Sequence, residues 1–447
     1  MSKLTNKQYI GVALPFMFST VTQPLMGAVN TAVMGQLPDP AYIAGVSLGA
    51  ILFNTIYWLF GFLRVSTSGY AAQALGTGLW EDRVMSFFRP LVMALVVSFL
   101  ILVFQAPILR AFVNFVNPAA DVAAICARYF VILVWGAPFT LVGYVALGWL
   151  MGQARIRETM IMQVSSNVLN MVLCILFVNG LAWDVAGVAW ACLIAQVYGC
   201  LVGLFLMARR GGFRVGEIPL KLILKWQPFL GMLKTNSNLM FRTACLMTVN
   251  NLFAASGASF GTEVLAANAV LQQIQYIISY LLDGMGNTAS LFTGRAIGRR
   301  DQELFEDTRK MSFKWLLVWA ASLSLLYAVG GGLLISVFTG NPDVLALTAR
   351  YQGYVILYPL CAGLGLVLYG MFTGATFTAP IRNMVIVATV CFIAARAFLT
   401  SSLGNDGLWI SYLIFYGAQS VTLWLFFGQL RRKTGFPAGA RTSGTDS

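Results

Sequence analysis

Runs of twenty or more apolar residues, separated by short clusters of charge, recur along the whole sequence and leave it few ways to fold. A helix of that length crosses the ~30 Å hydrocarbon core of a bilayer. About twelve such runs fall at roughly 8–35, 44–74, 87–109, 124–150, 159–180, 186–208, 229–256, 264–293, 313–338, 346–373, 382–402 and 408–430. Of the 447 residues 58% are hydrophobic and only 10% are charged, against about 25% charged in soluble domains. Forty-three glycines suit the close helix packing that small residues permit in lipid. The sequence therefore predicts an all-α integral membrane protein with about twelve transmembrane helices.

The formal charge of +13 raises the question of a nucleic-acid partner, but its placement argues against one. Lys3, Lys7, Arg83, Arg89, Arg155, Arg157, Arg209, Arg210, Arg214, Lys221, Lys225 and Lys234 fall on one side of the runs. Arg295, Arg299, Arg300, Arg309, Lys310, Lys314, Arg382, Arg431, Arg432 and Lys433 continue that side. The opposite loops hold Asp39, Asp121, Asp184, Glu263, Asp343 and Asp406, with Arg110 the main basic exception. Such alternation follows the positive-inside rule and places both termini in the cytoplasm. The seven cysteines lie in or at the ends of apolar runs, which favours free thiols over a disulfide framework. The first run lacks a convincing small-residue cleavage site and reads as a retained helix.

The chain reads as a duplication. Ala127-Arg128-Tyr129 recurs in the second half as Ala349-Arg350-Tyr351, and the same offset carries Gly148 to Gly370, Gly152 to Gly374 and Gly76 to Gly298. Val29-Asn30 reappears as Val249-Asn250. An even number of spans in each half makes the halves parallel. The expected organisation is a six-helix lobe over 1–208, a cytoplasmic linker over 209–228, a second six-helix lobe over 229–433 and a flexible tail over 434–447. Parallel repeats of this kind are a transporter architecture.

Polar residues recur at helical spacing inside several spans. Gln23, Gly27, Asn30 and Met34 share a face of the first, where Pro24 removes a backbone hydrogen bond and permits a bend. Gln163, Asn167, Asn170 and Cys174 repeat the pattern in the fifth span. Gln272, Gln275, Ser279, Asp283, Asn287 and Ser290 form the longest stripe, in the eighth, and Thr243, Met247 and Asn250 a shorter one in the seventh. Two readings fit them: interhelical hydrogen bonds, at about 0.6 kcal/mol each, or the lining of water-filled or ligand cavities. Asp283 is the only carboxylate deep in any span; it is either a proton-exchanging group or half of an ion pair with Arg64 or Arg242. The chain has no histidine and no Walker-type phosphate loop, which argues against His-based metal sites and ATP-driven transport. No cluster of carboxylates and nucleophiles near one membrane face suggests an integral-membrane enzyme. Eighteen methionines and 13% aromatic residues offer a cavity soft, polarizable walls.

Five motifs in order, QPLMGAVNTAVMGQL (23–37), FLRVSTSGYAAQALG (62–76), LGWLMGQAR (147–155), NVLNMVLCILFVNGL (167–181) and LLDGMGNTASLFTGRAIGRRD (281–301), resemble the multidrug and toxic compound extrusion (MATE) family, most closely its DinF-like subfamily. The resemblance implies two six-helix lobes with a pseudo-twofold relation and an outward-facing V. It also implies export of bulky hydrophobic or cationic drugs and dyes against protons, or less favourably sodium. A monomer in the bacterial inner membrane, with no cofactor beyond the coupling ion and no nucleic acid, is the expected setting. The chain departs from the family pattern at three positions: Asn30, Cys174 and Ser290 stand where DinF-like proteins carry acids. Either Asn30 mimics the protonated carrier or coupling has moved to Asp283. The expected N-lobe site is Gln23, Asn30, Met34, Asn167, Asn170 and Cys174. Asn250, Gln272, Gln275, Ser279, Asp283 and Asn287 form a C-lobe counterpart. A lipid-linked oligosaccharide or metabolite flippase is the alternative within the superfamily, with Arg64 and Arg242 as the residues to inspect.

Overall fold

The computed structural model describes residues 3–34, 40–181, 183–211 and 225–436. The side chains of Asn30 and Met34, most of the expected linker and the chain beyond 436 lie outside the described residues. Every regular element among those described is helical. In chain order these are α1 (Asn6–Met34), α2 (Pro40–Phe60), α3 (Phe62–Thr77), α4 (Trp80–Val103), α5 (Gln105–Val116), α6 (Ala120–Leu133), α7 (Ala137–Gly152), α8 (Ile156–Ile175) and α9 (Asp184–Gly211). They continue as α10 (Trp226–Ala258), α11 (Thr262–Arg299), α12 (Gln302–Phe338), α13 (Pro342–Gly374), α14 (Ala379–Leu403) and α15 (Asn405–Thr434).

Local chemistry sets the helix ends. The Asp301 carboxylate accepts the Leu304 amide at 2.9 Å and starts α12. Asn341 Oδ1 accepts the amides of Asp343 and Val344, ahead of Pro342 in the first turn of α13. Gly78 and Gly435 close α3 and α15 in left-handed conformations, which glycine adopts without steric penalty. Two of the apolar runs are interrupted inside: Gly61 separates α2 from α3, and a 3-10 turn at Val134–Gly136 separates α6 from α7. α8 continues into a π-helical turn, Leu176–Gly180.

Among the described residues, nine helical stretches are long and apolar enough to cross a membrane. α1, α10 and α11, at 29, 33 and 38 residues, are about 43, 50 and 57 Å long and reach across as well. This is a multi-pass, all-α membrane protein.

The chain divides into two compact units. The first is Leu14–Met240; the second joins Met1–Ala13 to Phe241–Ser447. Within the first unit α7 lies on α3 so closely that a methyl group at Gly148 would strike the Arg64 carbonyl, and one at Gly152 the Ser68 carbonyl. Within the second unit α13 lies on α11 in the same way, Gly370 against Gly286 and Gly374 against Ser290. The sequence offset that relates the glycines also relates their partners, Arg64 to Gly286 and Ser68 to Ser290, so one backbone-on-backbone contact is built twice.

That contact yields a stability prediction. Gly370→Ala places a methyl against backbone that has no side chain to swing aside, an overpacking worth about 1–3 kcal/mol or more. Its thermal unfolding midpoint in detergent is expected to fall by several degrees. Gly353→Ala, in the same helix with open space around its Cα, is expected to leave the midpoint unchanged or raise it.

Candidate functional site

In the first unit, the α8 row is turned inward: Gln163, Asn167, Asn170 and Cys174 are all buried, Asn170 to 3% exposure and Cys174 completely. Their spacing explains this, since residues three or four apart share a helix face. Asn167 Nδ2 donates to the Thr22 hydroxyl at 2.7 Å, and Thr22 donates to the Ser19 carbonyl at 2.8 Å, which ties α8 to α1. Asn170 Nδ2 donates to Cys192 Sγ on α9 at 3.4 Å. Gln23 is half-buried on α1, and that helix continues unbroken through Pro15 and Pro24.

Several buried atoms of this region lack a hydrogen-bond partner among the described residues. They are Asn170 Oδ1, Gln163 Nε2, Gln196 Oε1, Thr140 Oγ1 and the Tyr57 hydroxyl. The Tyr57 hydroxyl lies close to Thr140 and Gln196, yet none of the three reaches hydrogen-bond geometry. Gln196 packs against Gly136, where a methyl would meet its Oε1 and push the amide aside. In a water-poor interior an unsatisfied amide or hydroxyl costs about 1–3 kcal/mol.

In the second unit one group of polar side chains satisfies its members mutually. Gln275, 1% exposed, donates through Nε2 to Ser279 Oγ at 3.1 Å. The hydroxyls of Ser279 and Tyr358 are 2.6 Å apart. The Tyr412 hydroxyl donates to Asn250 Oδ1 at 2.8 Å, and it also reaches Gln275 Oε1 and the Tyr416 hydroxyl at 3.4 Å each. The rings of Tyr358 and Tyr416 meet edge to face at 4.9 Å, those of Tyr412 and Tyr416 at 5.1 Å. Nearby, Asn268 and Asn405 exchange reciprocal amide bonds at 2.7 and 3.0 Å while Trp409 donates to Asn268 at 2.8 Å.

Of the α11 stripe, then, Gln275 and Ser279 join Asn250 through tyrosines. Gln272 and Asn287 stay outside, each with a buried amide nitrogen that lacks a partner. Asp283 is half-buried one turn past Ser279. Arg242, an expected ion-pair candidate, stacks its guanidinium on the Tyr369 ring at 4.0 Å. The sequence reading missed Tyr57, Cys192, Gln196, Tyr358, Tyr412 and Tyr416. Gln196 breaks an apolar run, and Tyr412 and Tyr416 stand four apart on one face; both signals were present.

The family model described as MatE matches residues 15–176 and 239–397, once in each half. The chain is 32% identical over 423 residues to the DNA damage-inducible protein F of Escherichia coli (strain K12), across 94% of this chain and 91% of that protein. It is 20% identical over 457 residues to the probable multidrug resistance protein NorM of Photorhabdus laumondii, across 95% and 96% of the two. Among solved structures, an outward-facing multidrug resistance MATE family transporter of the MOP superfamily matches at a TM-score of 0.85, 19% identity and 97% of both chains. At that identity the likeness speaks to the fold.

Tyr412→Phe isolates the second unit's network. It keeps the ring packed against Phe253 and Trp409 but deprives Asn250 Oδ1 of its donor. The expected cost is about 1–3 kcal/mol, read as a lower unfolding midpoint in detergent. An unchanged midpoint contradicts the assignment.

Proposed function

Because this chain belongs to the MatE family of transporters, we propose that it is a secondary active exporter that antiports bulky hydrophobic or cationic compounds against protons. The observation that carries the reading is the inward row Gln163, Asn167, Asn170 and Cys174, with the Asn170 carbonyl oxygen buried and without a partner. An amide oxygen in an apolar surround accepts hydrogen bonds and attracts positive charge. It meets a drug ammonium group without the desolvation cost of a fixed carboxylate. Gln23, Asn30 and Met34, which by their spacing share one face of α1, are assigned to the same N-lobe site; for Asn30 and Met34 that assignment rests on the sequence. Thr22 and Asn167 lock α1 to α8 and hold the row in register.

Coupling is assigned to Asp283. Asn30 cannot titrate, and among the described acidic residues Asp283 alone stands many turns from either end of its helix. Ionisable groups at such depth are costly to keep and mark proton or ion pathways. Proton and substrate then favour different states of the carrier, and each flux drives the other through differential binding. No cofactor enters. The setting proposed is a monomer in the bacterial inner membrane with both termini cytoplasmic, as the distribution of Lys and Arg requires.

Asn170→Ala removes the buried, unpartnered acceptor. Loss of one hydrogen bond to a charged ligand weakens binding by about tenfold or more. In drug-sensitive bacteria at matched expression, the variant is expected to lose most protection against a cationic dye such as ethidium. Full retained protection contradicts the proposal.

A further inference from the structure

We infer that Arg242, with Tyr369 and Asn287, forms an anion-receiving subsite in the second unit. Its ligand is the carboxylate, sulfonate or phosphate head of an amphipathic monoanion. The inference rests on the exporter reading and extends its substrates from cationic to acidic amphiphiles.

Arg242 is the middle residue of the 33-residue α10, far from either helix end. Its guanidinium lies 4.0 Å from the centroid of Tyr369, inside the roughly 6 Å reach of a cation–π contact. The ring shields the guanidinium carbon on one side without accepting a conventional hydrogen bond from its N–H donors. Nε is buried and has no hydrogen-bond partner. Ion pairs of this unit engage Arg309 and Arg431 with Glu306, and Arg350 with Asp406. An arginine keeps its proton under all ordinary conditions, so its charge is present and must be answered by something. A planar fork backed by an aromatic ring is the geometry that takes a carboxylate or phosphate.

Asn287 supplies a second donor. Its Nδ2 is buried and unpartnered. The close contact of Gly370 with Gly286 brings their neighbours Tyr369 and Asn287 to one level of the α13–α11 pair. The wider pattern agrees. In the second unit the buried amide atoms without partners are all nitrogens, those of Gln272, Asn287 and Gln419. In the first unit they include the oxygens of Asn170, Gln196 and Asn236, with Gln163 Nε2 the exception. Tyr416 lies within electrostatic range of Arg242. Its ring, packed on Phe415 at 5.2 Å and on Tyr358, offers a wall for the ligand's apolar body.

The test is a fluorescence titration of the purified full-length chain, in a neutral maltoside detergent, with 11-dansylaminoundecanoic acid and with its methyl ester. The wild-type protein is expected to bind the acid about tenfold or more tightly than the ester. Arg242→Gln is expected to abolish that preference, and Arg242→Lys, a point charge without the fork, to reduce it. Should Arg242→Gln fail to fold, Asn287→Asp decides: its added negative charge is expected to erase the preference. Equal binding of acid and ester by the wild type overturns the inference. So does a preference that survives Arg242→Gln or a folded Asn287→Asp. Displacement of the bound acid by added phosphatidylglycerol identifies a lipid headgroup as the occupant, whereas resistance to it identifies a free amphiphile; both support an anion subsite. A wild-type chain that exports a cationic dye but binds acid and ester equally loses this subsite alone. Absence of dye export removes the exporter reading itself.

Discussion

Close backbone contact between paired helices is the constraint on which the rest of the molecule depends. In lipid, apolar side chains gain little by leaving the bilayer for the protein interior, so helices associate through tight packing and polar contacts instead. Gly148 against Arg64 and Gly370 against Gly286 supply the tight packing, one in each unit and at equivalent places in the duplicated sequence. Each contact holds a helix from the middle of its unit at a separation that no larger residue allows. Polar stripes on the neighbouring helices are then held in reach of one another, and their chemistry becomes specific.

What the duplicated positions hold differs between the units. Gln196 and Cys192 on α9 correspond, at the offset that relates Val29-Asn30 to Val249-Asn250, to Tyr416 and Tyr412 on α15. At the offset that relates Gly148 to Gly370, Gly136, which Gln196 packs on, corresponds to Tyr358, which Tyr416 packs on. An amide on glycine in the first unit has thus become two crossed tyrosines in the second. The first arrangement leaves polar atoms unsatisfied; the second spends its hydroxyls on Asn250, Gln275 and Ser279. A satisfied network rigidifies, while an unsatisfied one invites a ligand. The duplicated positions thus hold two different polar arrangements: orphaned acceptors on Gln196 and Asn170 in the first unit, and cross-braced tyrosines in the second.

The helical, membrane-spanning character was legible in the sequence because the length of an apolar run is itself the physical requirement for crossing. The stripes were legible for a related reason: an amide such as Asn170 stands out against lipid-soluble neighbours, and its period gives its face. The interruptions at Gly61 and at Val134–Gly136 were not, since both sides of each are equally apolar and periodicity passes through them unchanged. Nor was α5 visible as a helix of its own; none of its residues is buried, and Phe115 is 88% exposed. The tyrosine partners escaped because a tyrosine in an apolar run reads as packing, and only the fold shows where its hydroxyl goes. For Arg242 the sequence offered a carboxylate partner. An aromatic face three helices further along the chain, on Tyr369 of α13, is what the fold supplies.

The proposed antiport of a proton and a drug rests on interior polar groups, and Asp283 is the group to which the proposal assigns coupling. The most direct measurement is cationic-dye transport driven by an imposed pH gradient in membrane vesicles, comparing the chain as it stands with Asp283→Asn and Asn30→Asp. The account predicts an active chain that Asp283→Asn silences. A chain that is inert until Asn30→Asp restores a carboxylate to α1, or one that transports undiminished without the Asp283 carboxylate, contradicts it.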